Sequence, residues 1–420
     1  MRKSIALVFV TTLGLGLAAC SSGTAGSASS ADTTSAGAGG GATITVWSDS
    51  NREAALKDAA TKFESETGNK VNIVVKEFND IRADFLSQVS NGQGPDITVG
   101  ANDWLGEFAA NGAVVPIELG DKASDFNPVA TSAFTYDGQV YGLPYAIENT
   151  AIIRNAALAD STPSTWDEMI AKGKAAGTKY PFLIQTSDQG DPYTYYALQT
   201  SFGAPVFNQN ADGSYTTELG MGGDAGTKFA QFLADNGKNG TGVLDTAMTY
   251  DIAVDAFSKG ESPYILGGPW MISDFQKAGI DVAVDPVPSA GGKDAAPFVG
   301  VQGFYVSSAS KNSIVASQFL VDYMATEEAQ TAIYKAGNRL PALTAAADKA
   351  KSDPLTAGFA KAAENAKPMP SIPEMGSVWT PWGVAEAQII GGADASSTWT
   401  KMVGDLTTTI NKGATGSSSK

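Results

Sequence analysis

Residues 43–99 read TITVWSDSNREAALKDAATKFESETGNKVNIVVKEFNDIRADFLSQVSNGQGPDITV, and the periodicities in this stretch decide the fold class. Residues 43–47 form a short run rich in β-branched side chains. Over residues 52–66 the period lengthens, with Leu56, Ala60 and Phe63 on one helical face and Gly68 placed as a left-handed C-cap. Val71, Ile73 and Val75 then alternate as a strand does. Phe85, Leu86 and Val89 return to helical spacing, ended by Asn91-Gly92, before a third strand at 96–99 and a further helix at 103–111. Strand, helix, strand, helix, strand predicts a parallel sheet with right-handed crossovers, and hence an α/β fold.

Further along, Thr165-Trp166-Asp167-Glu168 fits a capping box, with Pro163 just upstream. Helical spacing predicts helices at 225–235, 251–258 and 313–324, and a strand at 263–266. No segment repeats at the 20–50-residue period of solenoids. The length, 420 residues, suggests two domains. Two α/β lobes would place a ligand where strand carboxyl ends meet a crevice.

The N-terminus reads as an address. Arg2 and Lys3 precede a charge-free apolar stretch at 5–19, which Leu17-Ala18-Ala19-Cys20 ends. That stretch falls short of the ~20 apolar residues that span a bilayer, so a signal peptide over 1–19 is expected. The tetrapeptide resembles the bacterial lipobox, with Cys20 the lipidated residue; the alternative is an ordinary cleavage site with an incidental cysteine. Cys20 is the sole cysteine, so no disulfide is expected despite export. After Cys20, residues 21–42 are Ser, Gly, Ala and Thr with Asp32 the only charge, so 20–42 reads as the lipidated cysteine and a flexible tether with a reach of roughly 25 Å. Residues 413–420 read as a frayed tail.

The formal net charge is −16, or −18 once Arg2 and Lys3 are removed with the signal. Phosphate neutralisation needs clustered Lys and Arg, so nucleic acid is not an expected partner. Histidine is absent, which excludes a Ser-His-Asp triad, a Cys-His dyad and histidine metal sites. Neither a cofactor nor a metal is expected.

Ordered segments then narrow the reading. They are Lys62-Phe63-Glu64 with Thr67-Gly68, Gly94-Pro95-Asp96-Ile97, Tyr141-Gly142-Leu143-Pro144 and Thr165-Trp166-Asp167-Glu168. Ala256-Phe257-Ser258-Lys259-Gly260-Glu261, Gly268-Pro269-Trp270, Pro297-Phe298-Val299-Gly300 and Met369-Pro370-Ser371-Ile372-Pro373-Glu374-Met375 complete the set. Each is weak alone; in this order, from Trp47 to about Trp379, they resemble the maltose/maltodextrin-binding proteins, extracellular solute-binding proteins (family 1) of bacterial ABC sugar importers. The resemblance implies a two-lobed periplasmic-binding-protein fold of type II, with hinge-linked discontinuous lobes closing on a ligand cleft. The implied lobes are 43–147 plus 302–344 and 148–301 plus 345–412, with crossings near Ala146, Val301 and Thr344. It also implies a monomer that is not an enzyme, held to the outer face of the cell membrane through lipid alone. Such a protein would deliver an oligosaccharide to permease and ATPase subunits.

The resemblance also implies site residues, beside their plainer readings. A sugar needs charge-assisted partners for its hydroxyls and flat aromatic area for its ring faces. Asp103 matches a ligand-binding aspartate, or is the N-cap of the helix that follows. Trp104 stacks on sugar or covers that helix start. Glu148 aligns with a sugar-binding glutamate, or is a surface charge at a lobe boundary. In Asp191-Pro192-Tyr193, Asp191 stands where the family has Glu, and of the two Tyr193 is the one more expected to meet the ligand. Trp270 and Trp379 align with stacking tryptophans and follow Gly/Pro-rich loops. Several positions depart from the family. Gly100 replaces an aromatic, Thr380 replaces a tyrosine for which Trp382 would compensate, and Gly383 replaces an arginine. Ser50-Asn51-Arg52 replaces an Asp-Lys pair, with Arg52 as the possible donor. The expected ligand is maltose or a short α-glucan, and the runner-up is another neutral sugar of the trehalose, sucrose or raffinose type. The rival from another class is a secreted glycoside hydrolase, whose equipment is also a pair of carboxylates.

Overall fold

The computed structural model describes residues 41–211 and 213–417. The expected signal peptide, Cys20 and the tether up to residue 40 lie outside the described residues.

The opening stretch folds as its periodicity dictates. Strand β1 (Thr43–Ser48), helix α1 (Ser50–Thr67), β2 (Lys70–Val75), α2 (Phe78–Val89) and β3 (Ile97–Ala101) follow in order. Gly68 closes α1 at φ 73°, its N–H bonded to the Glu64 carbonyl, a conformation that costs glycine little. One face of α1 buries Leu56, Ala60 and Phe63. Phe63 meets Phe319 and Tyr323 at centroid distances of 5.3 and 5.0 Å. Strand β1 pairs in parallel with both β2 and β3, as the crossovers require.

The larger sheet runs in the order Leu340–Pro341, Gly142–Glu148, Phe298–Ser307, β3, β1, β2. Phe298–Ser307 is antiparallel to both of its long neighbours, so the sheet is mixed rather than purely parallel. A second sheet holds Val282–Asp285, Ala151–Asn155, Tyr264–Gly267 and Leu183–Ile184. The chain leaves the larger sheet through Asn149-Thr150 and returns between Asp285 and Phe298. It leaves again after Pro341, and the helix Pro354–Ala362 packs on Val282–Asp285. The first crossing therefore lies beyond Ala146. Residues 298–301, assigned to the second lobe by sequence, pair within the larger sheet instead, Val301 opposite Ile147 and Gly300 opposite Glu148.

Thr165 caps the helix Trp166–Ala175 by accepting from the Glu168 N–H at 3.4 Å, and its hydroxyl donates to the Glu168 carboxylate at 2.8 Å. The helix expected at 313–324 is α-helical over Ser313–Gln318 and widens to a π-helix over Phe319–Met324. That π segment keeps Phe319, Leu320 and Met324 all buried. At the other end, the helix Ala395–Ser417 extends past Gly413, so the tail read from sequence is helical backbone to Ser417.

One buried group in the helix Met375–Ile390 stands out energetically. Glu386 is fully buried, and its carboxylate oxygens have at most weak, poorly aligned contacts with the Trp382 side chain and the Asp191 backbone. Burial, reinforced by the nearby Asp191 charge, pushes its proton affinity well above the ordinary carboxylate range. A raised folded-state value means stability that is complete below the unfolded pKa and lost as pH rises through the folded one. Glu386→Met should raise the unfolding free energy by about 1–3 kcal/mol in urea titrations. The gain should be larger at pH 8.5 than at pH 5; a loss at both values would contradict this account.

Candidate functional site

Between the two sheets, side chains from both halves converge. From the larger-sheet side, Asp49 at the start of α1 forms a buried ion pair with Arg52. Arg52 is 1 % exposed, lies 5.1 Å from the Phe78 ring centroid and 5.2 Å from that of Tyr145, and reaches Gln302 Oε1 at 3.4 Å. Burial opposes its charge. Asp49, Tyr145 and Glu148 outweigh that, and the guanidinium stays protonated at every accessible pH. Gln302 Nε2 in turn donates to Glu148 Oε1 at 2.8 Å, and Glu148 Oε2 pairs with Arg339. Asp49, Arg52, Gln302, Glu148 and Arg339 thus form one alternating polar relay, all of it buried.

An aromatic strip lies beside the relay. Trp270 is 6.2 Å from Tyr193, Tyr193 is 6.3 Å from Phe298, and Phe298 is 6.0 Å from Trp379. Trp270, Tyr193 and Trp379 are only partly buried. Arg339 connects strip and relay, its guanidinium 5.4 Å from the Trp270 centroid. At Gly300 a β-carbon would sit 3.2 Å from the Tyr193 hydroxyl and 3.3 Å from Glu148 Cγ, so a side chain there would push both groups back by a few tenths of an ångström. Asp103 sits in the short 3-10 turn after β3 and accepts from the Trp379 indole at 2.8 Å. Burial raises its pKa to about 6, against the opposing pull of Arg82 and the indole.

Four buried polar atoms in this region have no hydrogen-bond partner: Asp49 Oδ1, Arg52 Nε, Tyr145 Oη and Tyr193 Oη. Buried polar groups are nearly always satisfied, so such a cluster makes this region the candidate site for a polar ligand. Acceptors, donors and flat aromatic faces in one place suit a polyhydroxyl ring.

Of the residues singled out by sequence, Glu148, Tyr193, Trp270, Arg52, Asp103 and Trp379 are brought together here. Three are not. Trp382 is fully buried, its indole donating to Gln199 at 3.1 Å, and it lies under Trp379 with planes 8° apart. It is core and replaces no lost platform. Asp191 caps the helix Pro192–Thr200, accepting from the Thr194 N–H at 3.3 Å, the Thr194 hydroxyl at 2.6 Å and Gln185. Its carboxylate is occupied by that cap. Trp104 is buried against Phe78 and Phe108, and a β-carbon on Gly100 would lie 2.5 Å from its ring. The aromatic missing at position 100 is thus replaced in space by the Trp104 ring, packed as core. Sequence reasoning missed Asp49, Tyr145, Gln302 and Arg339.

Residues 58–363 match the family described as bacterial extracellular solute-binding protein. This chain belongs to that family. It is similar to a galactooligosaccharide-binding protein of Bacillus subtilis (strain 168), 28% identical over 80% of this chain and 82% of that protein. A maltooligosaccharide ABC transporter solute-binding lipoprotein of Streptococcus pneumoniae (strain ATCC BAA-255 / R6) is also 28% identical, over 80% of this chain and 81% of its own length. Among solved structures, a Thermus thermophilus maltotriose binding protein bound with maltotriose superposes with TM-score 0.80 and 34% identity, covering 88% of this chain and all of that one. The family member described here accordingly has the two-lobed α/β fold of type II expected from its sequence.

Proposed function

We propose that this protein captures maltodextrins, short α-glucans such as maltotriose, outside the cell and hands them to the permease of an ABC importer without altering them. The observation that supports this most is the partly buried strip of Trp270, Tyr193 and Trp379 beside the Asp49–Arg339 relay, with four unpartnered polar atoms on Asp49, Arg52, Tyr145 and Tyr193. Ring faces stack on the strip while hydroxyls meet the relay and Asp103. Likeness to proteins named for maltotriose and maltooligosaccharide favours α-glucans as the cargo. In this reading the lobes close by hinge motion, and only a ligand that favours the closed state reports occupancy to the permease. The lobes would divide near Asn149, between 286 and 297, and after Pro341. Export on the signal at 1–19 and lipidation of Cys20 would keep a monomer at the outer membrane face.

A second reading keeps every part of this role but takes a galactooligosaccharide, favoured by likeness to the Bacillus subtilis protein. A tryptophan-fluorescence titration of the tether-free protein decides between them. Maltotriose should bind saturably at micromolar concentration. Trp270→Ala and Trp379→Ala should each weaken binding roughly tenfold or more while leaving the protein folded, as loss of a stacking platform does. A response to galactooligosaccharide alone would move the assignment to the second reading, and hydrolysis products would refute the non-enzymatic role.

A further inference from the structure

Residues 338–339 connect the helix Glu327–Gly337 to the short strand Leu340–Pro341 of the larger sheet, yet they touch the other half of the molecule twice. Asn338, in the left-handed region at φ 54°, donates from Nδ2 to the Ser273 hydroxyl at 2.8 Å. Arg339 lies beside the Trp270 ring, 5.4 Å from its centroid, while its Nε is bonded to Glu148. Behind it, a β-carbon on Gly337 would stand 2.8 Å from a terminal guanidinium nitrogen, so a side chain there would make the guanidinium shift. The register Leu340 opposite Ile147 puts Arg339 next to the end of the strand that bears Glu148, where the chain first crosses between sheets.

We propose that Arg339 is the positioning residue of the sugar site: it fixes the Glu148 carboxylate and holds the Trp270 face, and so ties the acceptor from one lobe to the platform from the other. This rests on the sugar-binding reading above. The geometry calls for a guanidinium. A lysine ammonium pairs with a carboxylate as a point charge, but it lacks the flat plane that lies against an indole while its edge hydrogen-bonds elsewhere. The two substitutions therefore separate the two tasks. Arg339→Lys keeps a charge for Glu148 and releases Trp270, whereas Arg339→Ala releases both.

The test is a titration of the full mature protein with maltotriose, read by calorimetry and fluorescence. Arg339→Lys should fold and bind roughly tenfold more weakly, and Arg339→Ala should lose about a hundredfold, following the size of a desolvated cation–π contact and a charge-assisted bond. In a double-mutant cycle, Arg339→Ala and Trp270→Ala should combine to at least about threefold less than the product of their separate effects, as coupled neighbours do. Wild-type affinity in Arg339→Lys, or strictly multiplicative effects in the cycle, would overturn the proposal and leave a merely structural ion pair. A sugar-free readout stands beside these. The emission of Trp270 alone, taken as the difference from Trp270→Phe, should shift in Arg339→Lys, and an unchanged spectrum also overturns it. If the wild-type protein ignores maltotriose, the sugar assignment fails on that result, while the emission arm still decides whether Arg339 holds Trp270.

Discussion

Replacing Glu148 with alanine should lower the unfolding free energy by about 3–5 kcal/mol and eliminate detectable sugar binding, the largest loss expected from any single change at the site. The reason is the environment of what it leaves behind. The Arg339 side chain is only 8 % exposed, and its carboxylate partner is 6 % exposed. Removing the acceptor strands a desolvated cation and also orphans the Gln302 amide that donates to Glu148 at 2.8 Å. Coulombic attraction between two buried charges roughly offsets the cost of taking both from water; one charge alone has nothing to offset it. The same reasoning predicts that Glu148→Met combined with Arg339→Met recovers much of the lost stability without recovering sugar binding. Urea unfolding of the single and double variants at pH 7 checks this. A Glu148→Ala protein as stable as the parent would mean that the pair is solvated and that the relay carries no strain on its removal.

What the sequence disclosed follows from what is local. The β1–α1–β2–α2–β3 unit was legible because its periods and its Gly68 stop act over a few residues at a time. The antiparallel strand Phe298–Ser307 was not, because its pairing with Gly142–Glu148 and β3 joins segments more than 150 positions apart. The relay was hidden for the same reason: Glu148 and Arg339 are 191 positions apart, and Arg52 and Gln302 are 250. A local sign did exist for Gln302, a polar residue inside the apolar run from Phe298 to Val306. Trp382 shows the opposite error. Met375, Val378, Trp382, Ala385 and Ile389 are all buried and follow the spacing of a helix core stripe, with Trp379 on its flank. The period already placed Trp382 in the core and Trp379 at the edge of the buried face. Asp191 likewise carried its cap signature openly, an acidic residue before a proline at the first helical position.

Asp103→Asn should make the protein more stable and a worse binder at the same time, and the two effects should part company with pH. Burial holds the Asp103 carboxyl at about 6 in the folded chain, against an ordinary value of 3.8. The unfolded chain releases this proton first, so stability declines as pH rises from about 4 to 6 and stays lower above that. A separation of roughly two pH units, at about 1.36 kcal/mol per unit, puts the upper limit of this cost near 3 kcal/mol. Asparagine removes the charge yet still offers an oxygen to the Trp379 indole, which now lies 2.8 Å from Asp103 Oδ2. The variant should therefore gain about 1–3 kcal/mol at pH 7.5 and almost nothing at pH 4. Its affinity for maltotriose should fall roughly ten- to hundredfold, the loss expected when a charged acceptor of sugar hydroxyls becomes neutral. Unfolding at the two pH values, with a titration at pH 7.5, separates the outcomes. Equal stability of the two proteins at pH 7.5 would show that the carboxylate is not desolvated, and undiminished affinity would remove Asp103 from the ligand contacts. The combination predicted here is the mark of a residue kept for binding at the expense of the fold: a charge that the folded chain would be easier without, held 4 % exposed beside the aromatic platform where a sugar hydroxyl can use it.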